Sequence, residues 1–281
     1  MGIDGGRNVT GSIRAEALCA PSHLDSEAAA EARRVVCARF NAWNRGDVGA
    51  IRALMHVPHV SMPGPRPIIC ETESAPMTAD PRSVATAGGW HHSRLERLDV
   101  RQWSAEKVHC AIAFGKNAAG GRRYADAEAM YVVTHAAGRW GILLNSVTMR
   151  PIGVGDGDHA PAETVAVSLF QRWLVARDAG DVAAMRQLVH LPFVELRGTR
   201  LVVHKTMTSL RRDAAEAVPD SARPLRMIRR VEVLERSPHK VTLEADVARV
   251  GPDGATPATE TALVIATRLQ GRWAIQVLSA F

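Results

Sequence analysis

The fifteen residues Gly46–Val60 return as Gly180–Val194, and nine of the fifteen are unchanged. The two stretches lie 134 positions apart. Nearer the ends of the halves, Gly138-Arg139-Trp140 meets Gly271-Arg272-Trp273, and Lys107-Val108 meets Lys240-Val241, both at a spacing of 133. A spacing that slips by a single residue over about ninety positions is the mark of a duplicated domain. The chain therefore reads as two copies of one domain, at 25–150 and 162–281. A linker at 151–161, punctuated by Gly and Pro, joins them, and 1–24 reads as a flexible leader.

Each copy carries the same run of signals. Val35, Val36, Arg39, Phe40 and Trp43 recur at helical spacing in 26–44, and Val165, Leu169, Phe170 and Trp173 do so in 162–178. A Gly-Asp pair ends the first helix, and its Asp (Asp47 or Asp181) caps a short second one. A strand follows at 57–62 and 191–197, entered through Pro58 and Pro192. A third helix is expected at 78–87 and 206–217. Four long strands close each copy, at 93–102, 106–116, 123–135 and 139–148, then 225–235, 239–250, 258–269 and 271–279. Three helices on a curved antiparallel sheet is an α+β plan. The last strands are apolar on both faces, which predicts that the sheets of the two copies cover one another in an intramolecular pseudo-dimer.

Composition excludes several classes. With 46% hydrophobic and 23% charged residues the chain is neither disordered nor fibrous. No apolar run reaches the roughly 20 residues that span a bilayer, so no membrane role is expected. The net charge of +6 comes from dispersed Arg residues, and aromatics make up only 5%. That pattern lacks the basic stripe with stacking aromatics of a nucleic-acid binder. The four cysteines, Cys19, Cys37, Cys70 and Cys110, form no CxxC pair and all fall in the first half. Neither a zinc site nor a disulfide framework is expected, and with no signal peptide the compartment reads as reducing cytoplasm. Phosphate-binding Gly loops, HExxH and GxSxG are absent, so no metal or cofactor is expected.

The helix ending Asn41-Ala42-Trp43-Asn44-Arg45-Gly46-Asp47, the strand His56-Val57-Pro58-His59-Val60 and the terminal strand Gly138-Arg139-Trp140-Gly141-Ile142 resemble the NTF2-like superfamily, in its SnoaL-like and ketosteroid-isomerase-like branch. The second copy repeats them, so the resemblance covers about residues 26–281. It implies a cone-shaped domain with a pocket between helices and sheet. It also implies pairing of domains through their sheets, within one monomer here. The activities it brings to mind are cofactor-free isomerases, lyases and cyclases, and also pure binding or assembly modules. Tandem epoxide hydrolases of this fold have about this length. Their carboxylate pair and the isomerase Asp find no clear counterpart, since Met62 and Leu196, or Ser61 and Glu195, stand at those positions.

Dehydratases of this fold use an Asp late in the first helix and a His near the end of the third. The matching Asp is Asp178, where the first copy has Asn44; the matching histidines are His91 and His92, where the second copy has none. His91 or His92 is the candidate base, taking a proton from an apolar small molecule. Glu128, Tyr131 and Asn145 on the late strands are polar candidates for the cone interior, with Tyr131 donating to a carbonyl oxygen. His56 and His190 recur before the first strand, where they line both pockets or bond the backbone at a helix–strand corner. Trp43, Trp140, Trp173 and Trp273 recur between the copies and read as core anchors, with Trp43 beside the pocket. Glu244 and Asp246, on one strand face, and Glu71 and Glu73, in a loop, read as solvated.

Overall fold

In a computed structural model, residues 18–20, 26–73, 81, 89–154, 159–210, 225–250 and 258–280 are described. The first half runs α1 (Glu27–Asn44), α2 (Val48–Ala53), β1 (Met55–Met62), β2 (Ile68–Cys70), β3 (Trp90–Trp103), β4 (Lys107–Ala118), β5 (Arg123–Ala136) and β6 (Arg139–Pro151). The second half repeats it as α3 (Ala160–Asp178), α4 (Val182–Leu188), β7 (Val189–Arg197), β8 (Arg200–His204), β9 (Leu225–Ser237), β10 (Lys240–Val250), β11 (Ala258–Leu269) and β12 (Arg272–Ala280). Each half forms one six-stranded sheet, in the orders β2-β1-β6-β5-β4-β3 and β8-β7-β12-β11-β10-β9. By compactness the chain divides into Met1–Val57 with Thr72–Leu143 and Met149–Val154, and Pro58–Glu71 with Leu144–Thr148 and Gly155–Phe281.

Local chemistry explains the elements. Ser26 caps α1 by accepting from the Ala29 N–H at 3.2 Å. Asp47 and Asp181 cap α2 and α4, each accepting a backbone N–H at 2.9 Å. Gly46 and Gly180 take positive φ at the ends of the long helices, where an L side chain is strained. The apolar stripe of α1 rests on β3, β4 and β5, with Phe40 edge-on to Phe114 at 5.5 Å. In the second half Phe170, Trp173, Phe193, Leu243, Val264 and Ile275 make a closed core beneath α3.

Several expectations need correction. The sheets are not wholly antiparallel, because β7 runs parallel to β12. The hairpin strands β2 and β8 were not expected; at 3 and 5 residues they are too short to show a period. Strand β3 starts at Trp90 rather than at 93, so His91 and His92 belong to a strand and not to the loop before it. Pro58 and Pro192 sit inside β1 and β7 instead of at their entrances. The third helix expected at 78–87 lies outside the described residues apart from Pro81, and of 206–217 only 206–210 are described, with 207–210 helical.

The cysteine reading is also corrected. Cys19 and Cys37 form a disulfide, with Cα atoms 5.8 Å apart. Arg33 reinforces the contact by donating to the Leu18 carbonyl at 3.0 Å. Residues 18–20 are therefore tied to α1, although most of the expected leader lies outside the described residues. A disulfide belongs with oxidising surroundings, so cysteine usage gives no support to a reducing cytoplasm. Among the described residues no helix is long and apolar enough to cross a membrane.

Candidate functional site

The two helix–strand corners are built alike. Arg139 donates to the carbonyls of Ala53 and Met55, at 3.1 and 2.6 Å, closing the end of α2. Arg272 does the same for Gln187 and Val189 at the end of α4. These carbonyls would otherwise lack a donor, which accounts for the repeated Gly-Arg-Trp. His56 donates through Nε2 to the Thr134 carbonyl at 2.9 Å. Gly141 permits that approach, since a Cβ there would stand 3.0 Å from the ring. His190 donates to the Arg272 carbonyl and accepts from its guanidinium. Burial first, then the neighbouring Arg, holds His190 below its ordinary pKa; burial is also the main cause for His56. Both histidines bond backbone carbonyls at the corner.

Asn44 and Asp178 share another job. Asn44 accepts the Ser93 N–H and donates to the Ser93 carbonyl, both at 2.9 Å, tying α1 to the start of β3. Asp178 accepts the Arg226 N–H at 2.8 Å and pairs with its guanidinium, tying α3 to β9. Asp178 therefore orients an arginine and a strand, not an imidazole. His91 and His92 bond each other through their Nδ1 atoms at 3.3 Å, His91 exposed and His92 half-buried. Burial, then the nearby His91, holds His92 below its usual pKa.

Of the late-strand candidates, Tyr131 is buried beneath α1, while Glu128 is half-buried. The β4–β5 register runs without a break from Ala113–Glu128 to Cys110–Tyr131. Residues three apart on such a strand point to opposite faces, so Glu128 and Tyr131 do not share an interior. Asn145 is buried and donates to Ser61 Oγ at 3.1 Å, and its side-chain carbonyl oxygen has no hydrogen-bond partner among the described residues.

The feature that sequence reasoning missed is Arg39. It occupies the apolar stripe of α1, is 9% exposed, and lies with its guanidinium carbon 4.8 Å from the centre of the Trp43 ring. Trp43 in turn meets Trp90 edge-on at 6.0 Å. Among the described residues no carboxylate pairs with Arg39, and its Nε has no hydrogen-bond partner. Burial lowers its pKa, and Tyr131 beside it opposes that shift. A guanidinium held largely out of water without a carboxylate is expensive. Its one visible signal was a cation inside an apolar stripe.

The second repeat resolves the same interior differently. At the position of Arg39 stands Trp173, 1% exposed and tilted against Phe193 at 5.3 Å; at that of Tyr131 stands Val264. The expected recurrence of Trp43 and Trp173 is thus off by one helical turn, because the residue matching Trp43 is Arg177. Buried charges here are compensated. Glu195 Oε2 accepts from His204 Nε2 at 3.1 Å and pairs with Arg197. Burial would raise that carboxyl, but His204 and Arg197 together hold it below its ordinary range. The solvated reading of Glu244 fails, since it is buried, half of an acidic pair facing Arg230. Among the described residues no group of three His, Cys, Asp or Glu side chains is placed to hold a metal ion.

No protein-family model and no curated protein matches the sequence. Solved structures do resemble parts of it. An NTF2-like protein of unknown function from Pseudomonas putida KT2440 is 13% identical, covers 44% of this chain and 88% of its own, and has a TM-score of 0.37. A ketosteroid isomerase-like protein from Erwinia carotovora atroseptica SCRI1043 is 19% identical, covering 44% and 98%, with a TM-score of 0.35. The association domain of C. elegans CaMKII is 12% identical, covering 45% and 98%, with a TM-score of 0.37. The likeness is one of fold, and the chemistry of the site rests on its own geometry. With the same helix-and-sheet order in both halves, the chain is a tandem of two α+β domains built alike.

Proposed function

We propose that the first domain binds an apolar small molecule between α1 and its sheet and carries out cofactor-free proton transfer on it, as an isomerase, lyase or cyclase. The observation that carries this reading is the contrast between repeats: the first keeps Arg39 and Tyr131 in an apolar interior where the second has Trp173 and Val264. The Arg39 Nε, buried without a hydrogen-bond partner among the described residues, marks a place prepared for something else. In the reaction a C–H bond next to a carbonyl breaks, the proton passes to a ring nitrogen of His92, and the electron pair becomes an enolate. His92 suits the base because burial and His91 favour its neutral form. The Tyr131 hydroxyl is the group that would stabilise the oxyanion.

A second reading applies to the second domain alone. Its closed core and paired ions support a structural or assembly role rather than a pocket. Tandem epoxide hydrolysis has no support in Ser61 and Glu195, one a hydroxyl and the other ion-paired.

The test is deuterium exchange. 2-Tetralone in D2O, followed by proton NMR, is expected to lose its α-protons faster with the protein than without it. Exchange should fall to the background with His92→Ala and persist with Trp173→Phe. No acceleration by the wild-type protein, or unchanged acceleration in His92→Ala, refutes the proton-transfer reading.

A further inference from the structure

We infer that the ligand of the first domain carries a carboxylate, and that Arg39 is the residue that binds it. The inference rests on the reading that this interior is the binding site, and it adds the chemical class of what enters.

A cation buried to this degree normally has a counter-ion. The paired arrangement is the one the second repeat shows in Arg226 with Asp178. Among the described residues Arg39 has only the Trp43 ring and the neighbouring Tyr131, a face and a phenol. Cation–π contact stabilises a guanidinium by a fraction of what desolvation costs it. The planar fork of Arg matches the two oxygens of a carboxylate, and such a pair forms charge-assisted bonds. Phe40, Phe114 and Trp90 surround this end of α1 with ring surface, so the rest of the ligand is apolar and planar. The substrate class is therefore an aromatic or other apolar monocarboxylate. Stacking over Trp43 leaves the edge of the guanidinium for the acid.

The experiment measures binding by calorimetry for acetate, benzoate and 2-naphthoate, each beside its carboxamide. It uses the full chain, wild type and the variants Arg39→Met and Arg39→Lys. At least one carboxylate of the series is expected to bind, with its amide about 10- to 100-fold weaker. Arg39→Met should weaken the acid to the level of the amide, and Arg39→Lys should fall between. Thermal unfolding of the ligand-free proteins supplies a readout that a structural arginine would not give: Arg39→Met should melt at or above wild type. Equal binding of acid and amide, an acid unaffected by Arg39→Met, or a series in which no carboxylate binds the wild type overturns the inference. A lower melting temperature for Arg39→Met combined with unchanged binding also overturns it and makes Arg39 a structural residue. The exchange of 2-tetralone needs no carboxylate on the ligand, so proton transfer stands or falls separately.

Discussion

The guanidinium carbon of Arg39 lies 4.8 Å from the centre of the Trp43 ring, one helical turn along α1. At the matching positions the second repeat carries Trp173 and Arg177, the same two residue types in the opposite order. The swap moves the cation by one turn, from a place without a carboxylate to one beside Glu195 and Asp178, whose charges act on Arg177. Duplicated domains have thus divided one interior into a filled version and a version with an uncompensated charge. Replacing Arg39 by Met removes the desolvation penalty and keeps the apolar volume. The ligand-free protein should gain about 1–4 kcal/mol of stability, as measured by urea unfolding. A loss of that size would mean that Arg39 is needed for the fold.

Asp178→Asn should be nearly neutral for the backbone tie, because Asn44 performs the same task in the first repeat with an amide. Asp178→Ala leaves the half-buried Arg226 N–H without its acceptor and the guanidinium without its ion. It should cost about 3–5 kcal/mol in urea unfolding. Neither variant should alter 2-tetralone exchange, and an exchange rate that fell with Asp178→Asn would return that residue to catalysis.

Arg139→Ala and Arg272→Ala remove equivalent clamps from the ends of α2 and α4. Each loses two hydrogen bonds to carbonyls, an expected cost of about 1–3 kcal/mol. Amide hydrogen exchange should locate the loosening at the first corner for Arg139→Ala and at the second for Arg272→Ala.

His109 gives the fold an acid limit. Burial, and then Lys107 on the same face of β4, holds its imidazole well below the ordinary value, so it is neutral in the folded chain. The unfolded chain takes up a proton there as pH falls through about 6.5. Stability from this group is therefore present above that value and is lost below it, by up to about 1.4 kcal/mol per pH unit. The matching residue is Thr242, so His109→Thr is the natural control. Between about pH 7.5 and pH 5 the wild type should lose about 1–2 kcal/mol more than this variant. Parallel pH profiles would show that His109 is not the group responsible.

Much of the architecture was legible because it was written twice. Gly46-Asp47 with Gly180-Asp181, and Arg139 with Arg272, mark the same turns and clamps in both halves. Strands long enough to alternate were readable, whereas β2 and β8 were too short and the parallel pairing of β7 with β12 depends on tertiary contact. The site was less legible. Periodicity places Arg39 on the buried face of α1, yet it does not distinguish a side chain that reaches back to water from one that stays inside. Asp178 matched a catalytic position by alignment, and only geometry shows Arg226 on its oxygens. The Cys19–Cys37 bond depends on residues 18–20 lying against α1, which spacing alone does not reveal.

The central claim is that the first domain, and not the second, holds the working interior. The six tryptophans allow a direct measurement, since each indole N–H gives its own signal in a 15N-labelled sample. Titration with 2-naphthoate, and separately with 2-tetralone, should shift the indole signals of Trp43 and Trp90 and leave that of Trp173 in place. Movement of Trp173 with Trp43 and Trp90 unchanged, or no movement of any of the three with either compound, would contradict the account.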